Sequence, residues 1–379
     1  MVVALEQVIS GPYCTRQLAD LGARVIKIER PGTGDMVRYH DSRVLGGLCS
    51  HFVWTNRNKE SLVLDIKVAD DLRMLKELIA KADVFLQNLV PGAIDRYGLS
   101  YDELRQTNDR LIMCEISGYG SDGPYKHKKA YDLLVQSEAG LLSITGTPDT
   151  PSKAGISIAD IAAGMYAYSS VMAGLLQRQK TGKGCRIDVS MLEGMAEWMS
   201  FPLLYASNGQ SAPARAGASH ASIYPYGPFE TKDGKVMLGL QNEREWKILC
   251  EQVLQTPDLA THERFKNTSS RSENRDELYR IICESFVDST SVQVIEKLEA
   301  AGIANAKLNE MEDVWNHPQL HARRRWVEVS TELGPVRTLM PPGMLSTTET
   351  RLDPVPRIGE HTDAIIAEFD LAKTQKSSS

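Results

Sequence analysis

The first thirty residues commit the chain to a strand, a helix and a second strand. Residues 2–5 are a short apolar run, 15–21 carry the spacing of an amphipathic helix with Gly22 in the position that ends it, and 24–29 are a second β-rich run. Strands joined by a helix pair in parallel, which requires helices on the faces of the sheet. The alternation continues with strands at 61–66, 84–88 and 111–116 and a helix at 69–81. The expected fold class is therefore α/β: a Rossmann-like open sheet with helices on both faces.

A chain of 379 residues, 42% of them hydrophobic, is long enough for a large core and for two domains. The turn-rich stretch 207–217 divides it. Residues 1–205 are expected to form the first part of a large α/β domain. Residues 206–304, with a hairpin turn at Lys232-Asp-Gly234 and helical patterns at 243–254, 275–287 and 291–301, are expected to form a smaller α+β domain. The proline-rich remainder, 305–379, returns to the large domain and ends in a polar, disordered tail at 373–379.

A net charge of −6 with no basic stripe excludes nucleic acid as a partner. The six cysteines are scattered, with no Cys-x-x-Cys pair and no neighbouring histidine at ligand spacing, so no metal site is expected and the thiols read as reduced core residues of a cytoplasmic protein. No run approaches the roughly 20 apolar residues of a membrane span. The N-terminus begins almost inside the first strand and carries no mitochondrial leader, although a longer precursor is compatible with that start.

Gly118-Tyr-Gly-Ser-Asp-Gly123 has the form G-x-G-x-x-G and follows a strand-like run, but Pro124 and polar residues stand where a helix would aim its N-terminus at a pyrophosphate. It reads as a tight glycine loop rather than a dinucleotide site. Gly155-Ile-Ser157-Ile-Ala159 lacks the last glycine of a nucleophile elbow, and Gly182-Lys-Gly184 lacks the spacing of a P-loop. Asp160 stands in the small-residue run 154–164 just before an apolar helical stretch reaching about residue 177. A carboxylate there is either the N-cap of that helix or a functional group at the edge of a core.

Several separated blocks bear on that choice. They are 11–35 (Gly11-Pro-Tyr-Cys-Thr-Arg-Gln to Gly34-Asp35), Asn56-Arg-Asn-Lys-Glu-Ser-Leu62 with Leu64-Asp-Ile-Lys67, Gln87-Asn-Leu-Val-Pro-Gly92, Ser117-Gly-Tyr-Gly-Ser-Asp-Gly-Pro124, Tyr131-Asp132 with Gln136, and Thr181-Gly-Lys-Gly184. In order and spacing they resemble the family III CoA-transferases. The resemblance implies an interlinked homodimer and a nucleophile at Asp160. It also implies coenzyme A contacts at Arg38, Asn88, Arg96, Lys129 and Tyr131, where arginine and lysine suit phosphates. No cofactor is implied beyond the coenzyme A thioester itself, which is a substrate.

The segments 239–246 and 317–326 resemble a subgroup acting on small dicarboxylates, which implies succinyl-CoA as donor and itaconate, then mesaconate or citramalate, as acceptor. His220 lies where the family places a loop near the reacting groups. Arg215, Arg38 and the Arg323–Arg325 cluster are candidates to pair a far carboxylate. Two other activities stay open: an α-methylacyl-CoA racemase, although the His-Asp pair typical of racemases is Tyr131-Asp132 here, and a non-catalytic coenzyme A-binding protein.

Overall fold

The computed structural model describes residues 1–343, 345–347 and 349–371; the tail 373–379 lies outside the described residues. The chain forms two compact units. The larger contains 1–139, 154–200 and 320 onward, and the smaller contains 140–153 and 201–319. The boundaries thus differ from those expected. A short excursion, Gly140–Lys153, joins the smaller unit, and the return begins at Leu320 instead of residue 305.

In the larger unit six strands, β1 (Val2–Leu5), β2 (Val25–Glu29), β3 (Lys59–Val63), β4 (Val84–Gln87), β5 (Ile112–Ser117) and β6 (Cys185–Ser190), form one parallel sheet. Their order is β3-β2-β1-β4-β5-β6. Chain direction across the sheet reverses between β1 and β4, and in such sheets ligands bind in the crevice beyond the strand ends at that point. Burial on both faces explains why β1 and β4 are near-continuous apolar runs. One core cluster packs Val3, Ile26, Leu62 and Phe85 of these strands against Leu75 and Leu78 of the helix Ala69–Ala80.

The first helix runs Ser10–Asp20, starting five residues before the expected position. Pro12 does not prevent this, because an amide missing from the first turn has no partner to lose. A long helix, Ile158–Thr181, packs against it through small residues. A side chain at Gly164 would place its Cβ 2.8 Å from the Ser10 carbonyl oxygen, so only glycine lets the two helices approach this closely.

Polar groups are buried under the C-terminal end of β1. Glu6, Lys27 and Lys59 have no exposed side-chain surface. Lys59 Nζ lies 2.8 Å from Glu6 Oε1 and also donates to the carbonyl of Pro12 (3.0 Å) and to Asn56 Oδ1 (3.1 Å). Lys27 pairs with Asp35 at 2.8 Å and reaches Glu6 at 3.4 Å. Burial pushes Lys59 down to about 8, although Glu6 opposes the shift. Burial also raises Glu6, yet Lys59 and Lys27 outweigh it and hold this carboxyl below its usual range.

The region after residue 305, read as loop, contains a strand Ala304–Lys307 and an antiparallel hairpin, Trp326–Thr331 with Gly334–Leu339. A final helix, Thr362–Glu368, sends Ile365 into the main core, while His361 and Thr362 bond the backbone of β3 at Ser61 and Val63. In the smaller unit the expected hairpin is present as Tyr226–Thr231 and Gly234–Gly239, and Ala304–Lys307 adds a third strand. Helices Arg275–Phe286 and Ser291–Ala300 cover it around a core containing Trp246, Phe229 and Phe286.

Removing one partner from a buried ion pair strands the other, at about 3–5 kcal/mol. Lys59→Met is therefore expected to lower unfolding free energy by about 3 kcal/mol or more, read by urea titration. Adding Glu6→Leu to the same chain should restore part of that loss.

Candidate active site

Asp160 is the third residue of the long helix and does not cap it. The residue before the helix is Ser157, which makes no side-chain cap bond. The capping carboxylate comes from Asp132, at the start of the helix Asp132–Glu138: its Oδ1 accepts from the backbone N–H of Ala159 (2.8 Å) and of Asp160 (3.3 Å). Gln136, one turn further, donates to Asp132 Oδ2 at 2.6 Å and accepts from the Ala154 amide at 3.0 Å. The Asp132 and Gln136 pattern thus clamps the segment that presents Asp160. The capping alternative at Asp160 is corrected accordingly: an anion from another helix satisfies the first amides of the long helix.

Freed from capping, the Asp160 side chain faces the start of the first helix. Burial, and then the nearby Asp132 charge, push its pKa up to about 7, while hydrogen bonds from the hydroxyl and backbone N–H of Ser10 act in the opposite direction. Near neutral pH the carboxyl is therefore shared between its two protonation states. A carboxylate of raised basicity, steadied by donors at a helix N-terminus, is suited to attack a carbonyl and to pass through an acylated state.

Ser10 is itself positioned. Asn88, just after β4, donates to Ser10 Oγ at 3.1 Å and makes a two-way bond with the backbone of Gln7, accepting from its N–H at 2.8 Å and donating to its carbonyl at 2.7 Å. Between Gln7 and Ser10, Val8 adopts a left-handed φ of 64°, costly for a β-branched residue, and its N–H is held by Asp35 Oδ1. The same loop therefore links the buried ion network to the Asp160 carboxylate.

At the switch point between β1 and β4 a cavity of about 510 Å³ opens. Gln7 lies on its wall, with Ile66, Leu89 and Val90 as apolar surface and Arg30, Lys67 and Arg96 as cations. Apolar walls beside several cations suit a ligand with a flat base and phosphates. Arg96 is the one residue of the implied coenzyme A set on the wall of this cavity. Arg30 and Lys67 were not singled out in the sequence, although each directly follows a strand or its first turn, where such a crevice draws its lining.

The other implied contacts fall elsewhere in the same unit. Arg38 is engaged with buried Glu29, its Nε at 2.9 Å and its Nη2 at 2.7 Å from the carboxylate oxygens, and it stacks on Phe52 at 3.6 Å. Asn88 spends its amide on Gln7 and Ser10, as described. Lys129 is exposed, and Tyr131, 70% exposed, immediately precedes Asp132. The glycine loop is a loop: Gly120 has φ 98°, its N–H bonds Ser117 Oγ, and no helix starts at Pro124.

His220 and Arg215 belong to the smaller unit. The His220 ring stacks on Tyr226 and its Nδ1 accepts from the amides of Ser222 and Ile223, whereas Arg215 bonds the carbonyls of Thr147 and Pro148. Of the remaining cations suggested for a far carboxylate, Arg324 lies on the wall of a different cavity, in the larger unit.

One expectation about cysteine needs correction. Cys49 does have a histidine beside it: Asp41, Cys49 and His51 bring their ligand atoms within 4.8 Å, because the loop before the helix Ser50–Asn56 folds Asp41 back onto that helix. Both Asp41 oxygens are already in use, accepting from Arg43 N–H and from the amide and hydroxyl of Ser50. The group works as a loop clasp. Among the described residues no helix is long and apolar enough to cross a membrane.

The larger unit thus combines an open parallel sheet, a crevice at its switch point lined by three cations, two carboxylates and apolar residues, and a carboxyl of raised pKa on an adjoining helix. The family description CoA-transferase family III matches residues 1–362, and the chain belongs to that family. It is similar to a succinyl-CoA:glutarate CoA-transferase of Homo sapiens, 34% identical over 97% of this chain and 84% of the relative. It is similar also to a succinyl-CoA:mesaconate CoA-transferase of Haloarcula hispanica, 30% identical over 97% of this chain and 94% of the relative. A solved structure, a CAIB/BAIF family protein from Brucella suis, superposes with a TM-score of 0.86 at 33% identity, covering 97% of this chain and 98% of its own.

The raised pKa of Asp160 fixes the sign of a pH effect. Below about 4 the carboxyl is protonated in both folded and unfolded chains. Between about 4 and 7 only the unfolded carboxyl ionises, so the native state loses stability as pH rises, and the loss is complete above 7. Asp160→Asn removes this penalty, which at most is roughly 4 kcal/mol, since each pKa unit is worth about 1.4 kcal/mol. The variant should melt at the same temperature as the parent at pH 4 and several degrees higher at pH 8; a constant difference across that range would count against the burial of this carboxyl.

Proposed function

We propose that the chain transfers coenzyme A from succinyl-CoA to a C5 dicarboxylic acid, with Asp160 as the covalent nucleophile. The observation that carries this reading is the Asp160 carboxyl, pushed up to about 7 and held by Ser10 at the start of the first helix. The relatives named for glutarate and mesaconate support a dicarboxylate as acceptor. Itaconate is the first acceptor in this reading, with mesaconate, citramalate and glutarate beside it.

Asp160 attacks the thioester carbonyl of succinyl-CoA, the C–S bond breaks, and coenzyme A leaves as thiolate from a succinyl-aspartyl anhydride. The thiolate then attacks the aspartyl carbonyl, forming an aspartyl-CoA thioester and releasing succinate. The acceptor carboxylate attacks that thioester, giving a second anhydride and thiolate, and thiolate attack on its acyl carbonyl yields the new acyl-CoA and free Asp160. Positioning of the reactants can supply roughly 7–11 kcal/mol of the barrier reduction. The Ser10 donors already address the Asp160 carboxyl, so the oxyanion formed on the aspartyl carbon meets hydrogen bonds that need no rearrangement. Arg30, Lys67 and Arg96 would hold the phosphates of the carrier.

Racemisation has less support. It requires a base able to take a proton from the α-carbon, and the Asp132 carboxylate is occupied by two amides and Gln136. The homodimer belongs to the same proposal. Phe201, Leu203 and Leu204 of the helix Ser200–Ser207 are each about half exposed or more, an apolar face that a second copy would cover.

Asp160→Ala should abolish exchange while leaving a folded protein that still binds coenzyme A. Borohydride added with succinyl-CoA should shift the mass of the peptide bearing Asp160 in the parent alone. Exchange near the parental rate in Asp160→Ala would rule out this nucleophile. The acceptor class has its own measurement: kcat/KM for itaconate, mesaconate, citramalate and glutarate should exceed that for a monocarboxylate of similar length by tenfold or more, since unpaired buried donors cost about 1–3 kcal/mol.

A further inference from the structure

We infer that the smaller unit contains a pocket for the carboxylate end of a short-chain organic acid, formed by Arg215 and Arg275. The two arginines line a cavity of about 260 Å³ together with Ser219, Tyr224, Asp276 and Tyr279. That volume lies below the roughly 300–1,000 Å³ typical of drug-sized ligands and suits a carboxylate with a few carbons.

The arginines are fixed by contacts that leave part of each guanidinium uncommitted. Arg215 uses Nε and Nη2 on the carbonyls of Thr147 and Pro148, at 2.9 and 2.7 Å. Arg275 donates from Nη2 to the carbonyl of His220 at 2.8 Å and lies 5.1 Å over the Tyr224 ring. Its Nε is buried and finds no acceptor among the described residues. A buried guanidinium N–H without an acceptor costs free energy unless a ligand supplies one. Both arginines are held by backbone carbonyls, and among the described residues neither has a carboxylate partner that a ligand would have to displace.

Charge selects the ligand. Two guanidinium groups and the Asp276 carboxylate leave one net positive charge at the cavity, enough for one carboxylate group and not for a polyphosphate. The planar fork of arginine matches a carboxylate in two-point hydrogen bonding, and the tyrosine rings offer apolar contact for the carbon chain. The choice of organic acid as ligand rests on the proposed function; the presence of an anion pocket does not.

The test separates the two. Calorimetric titration of full-length Asp160→Asn with glutarate, in the absence of coenzyme A, measures binding without turnover. One saturable site is expected, weakened about tenfold or more by Arg275→Gln and by Arg215→Gln, because losing one partner of a desolvated charge pair weakens binding at least that far. Arg275→Lys, which keeps the charge and loses the fork, should fall between. Lys247→Gln, on the exposed surface of the smaller unit, should bind as the parent does. Melting curves of each variant confirm that it is folded. Binding unaffected by both arginine changes, or no binding at all, overturns the pocket; inorganic phosphate binding as tightly as glutarate overturns the assignment to carboxylates. A protein that binds glutarate through these arginines but exchanges no coenzyme A would retain the pocket and refute the transferase reading.

Discussion

The fully buried contact of Lys59 and Lys27 with Glu6 holds the structure around it in place. Three adjacent strands meet there, because Glu6 follows β1, Lys27 lies within β2 and Lys59 opens β3. Lys59 also reaches the Pro12 carbonyl in the first turn of the first helix, and Lys27 holds Asp35, whose other oxygen fixes Val8. Charged groups this deep cost several kcal/mol each to desolvate and are tolerated only when every one finds partners. The network therefore specifies where the strand ends, the first helix and the connecting loop lie relative to one another, which a purely apolar core would leave less defined.

The Asp160 site inherits that definition. The loop pinned by Asp35 leads directly to Ser10, and Asn88 ties Ser10 back to the same loop. From the opposite side, Asp132 and Gln136 grip the segment leading into the long helix. Gly164 then removes the last steric barrier between the two helices. Electrostatics at Asp160 is a balance of opposed influences: burial and the Asp132 charge favour the proton, and the Ser10 donors favour the anion. The same Asp132 thus holds the local structure through its hydrogen bonds and raises the Asp160 pKa through its charge.

Much of the larger unit was legible because its signals are local. Apolar runs of four to six residues separated by a helical period predict a parallel sheet, and the small-residue run around Asp160 points to a close approach. What escaped depends on partners distant in sequence. Asp160 resembles a cap until Asp132, 28 residues earlier, is seen to occupy that role. Lys27 and Lys59 look like ordinary strand charges until Glu6 is placed between them. The hairpin Trp326–Thr331 and Gly334–Leu339 was obscured by Pro335 and by alternating exposed polar residues, which weaken a strand signal without preventing pairing at the margin of a fold. Gly140–Lys153 carries no compositional mark of the unit it joins. Pattern alone likewise could not reveal that Asn88 bonds Gln7 and Ser10, or that Arg38 pairs with Glu29.

The bonds from His361 and Thr362 to the backbone of β3 impose an order in time. Ser61 and its partner His361 are separated by 300 residues, so during synthesis the outer strand of the sheet leaves the ribosome long before the segment that covers it. At about 5–20 residues per second that interval is roughly 15–60 s. Throughout it, a parallel sheet with an unpaired edge and a core still lacking Ile365 and Leu371 is exposed to other nascent chains. Production of this protein in the cell should therefore depend on chaperone capacity and on elongation rate through its last third, a sensitivity that equilibrium stability of the finished chain would not reveal.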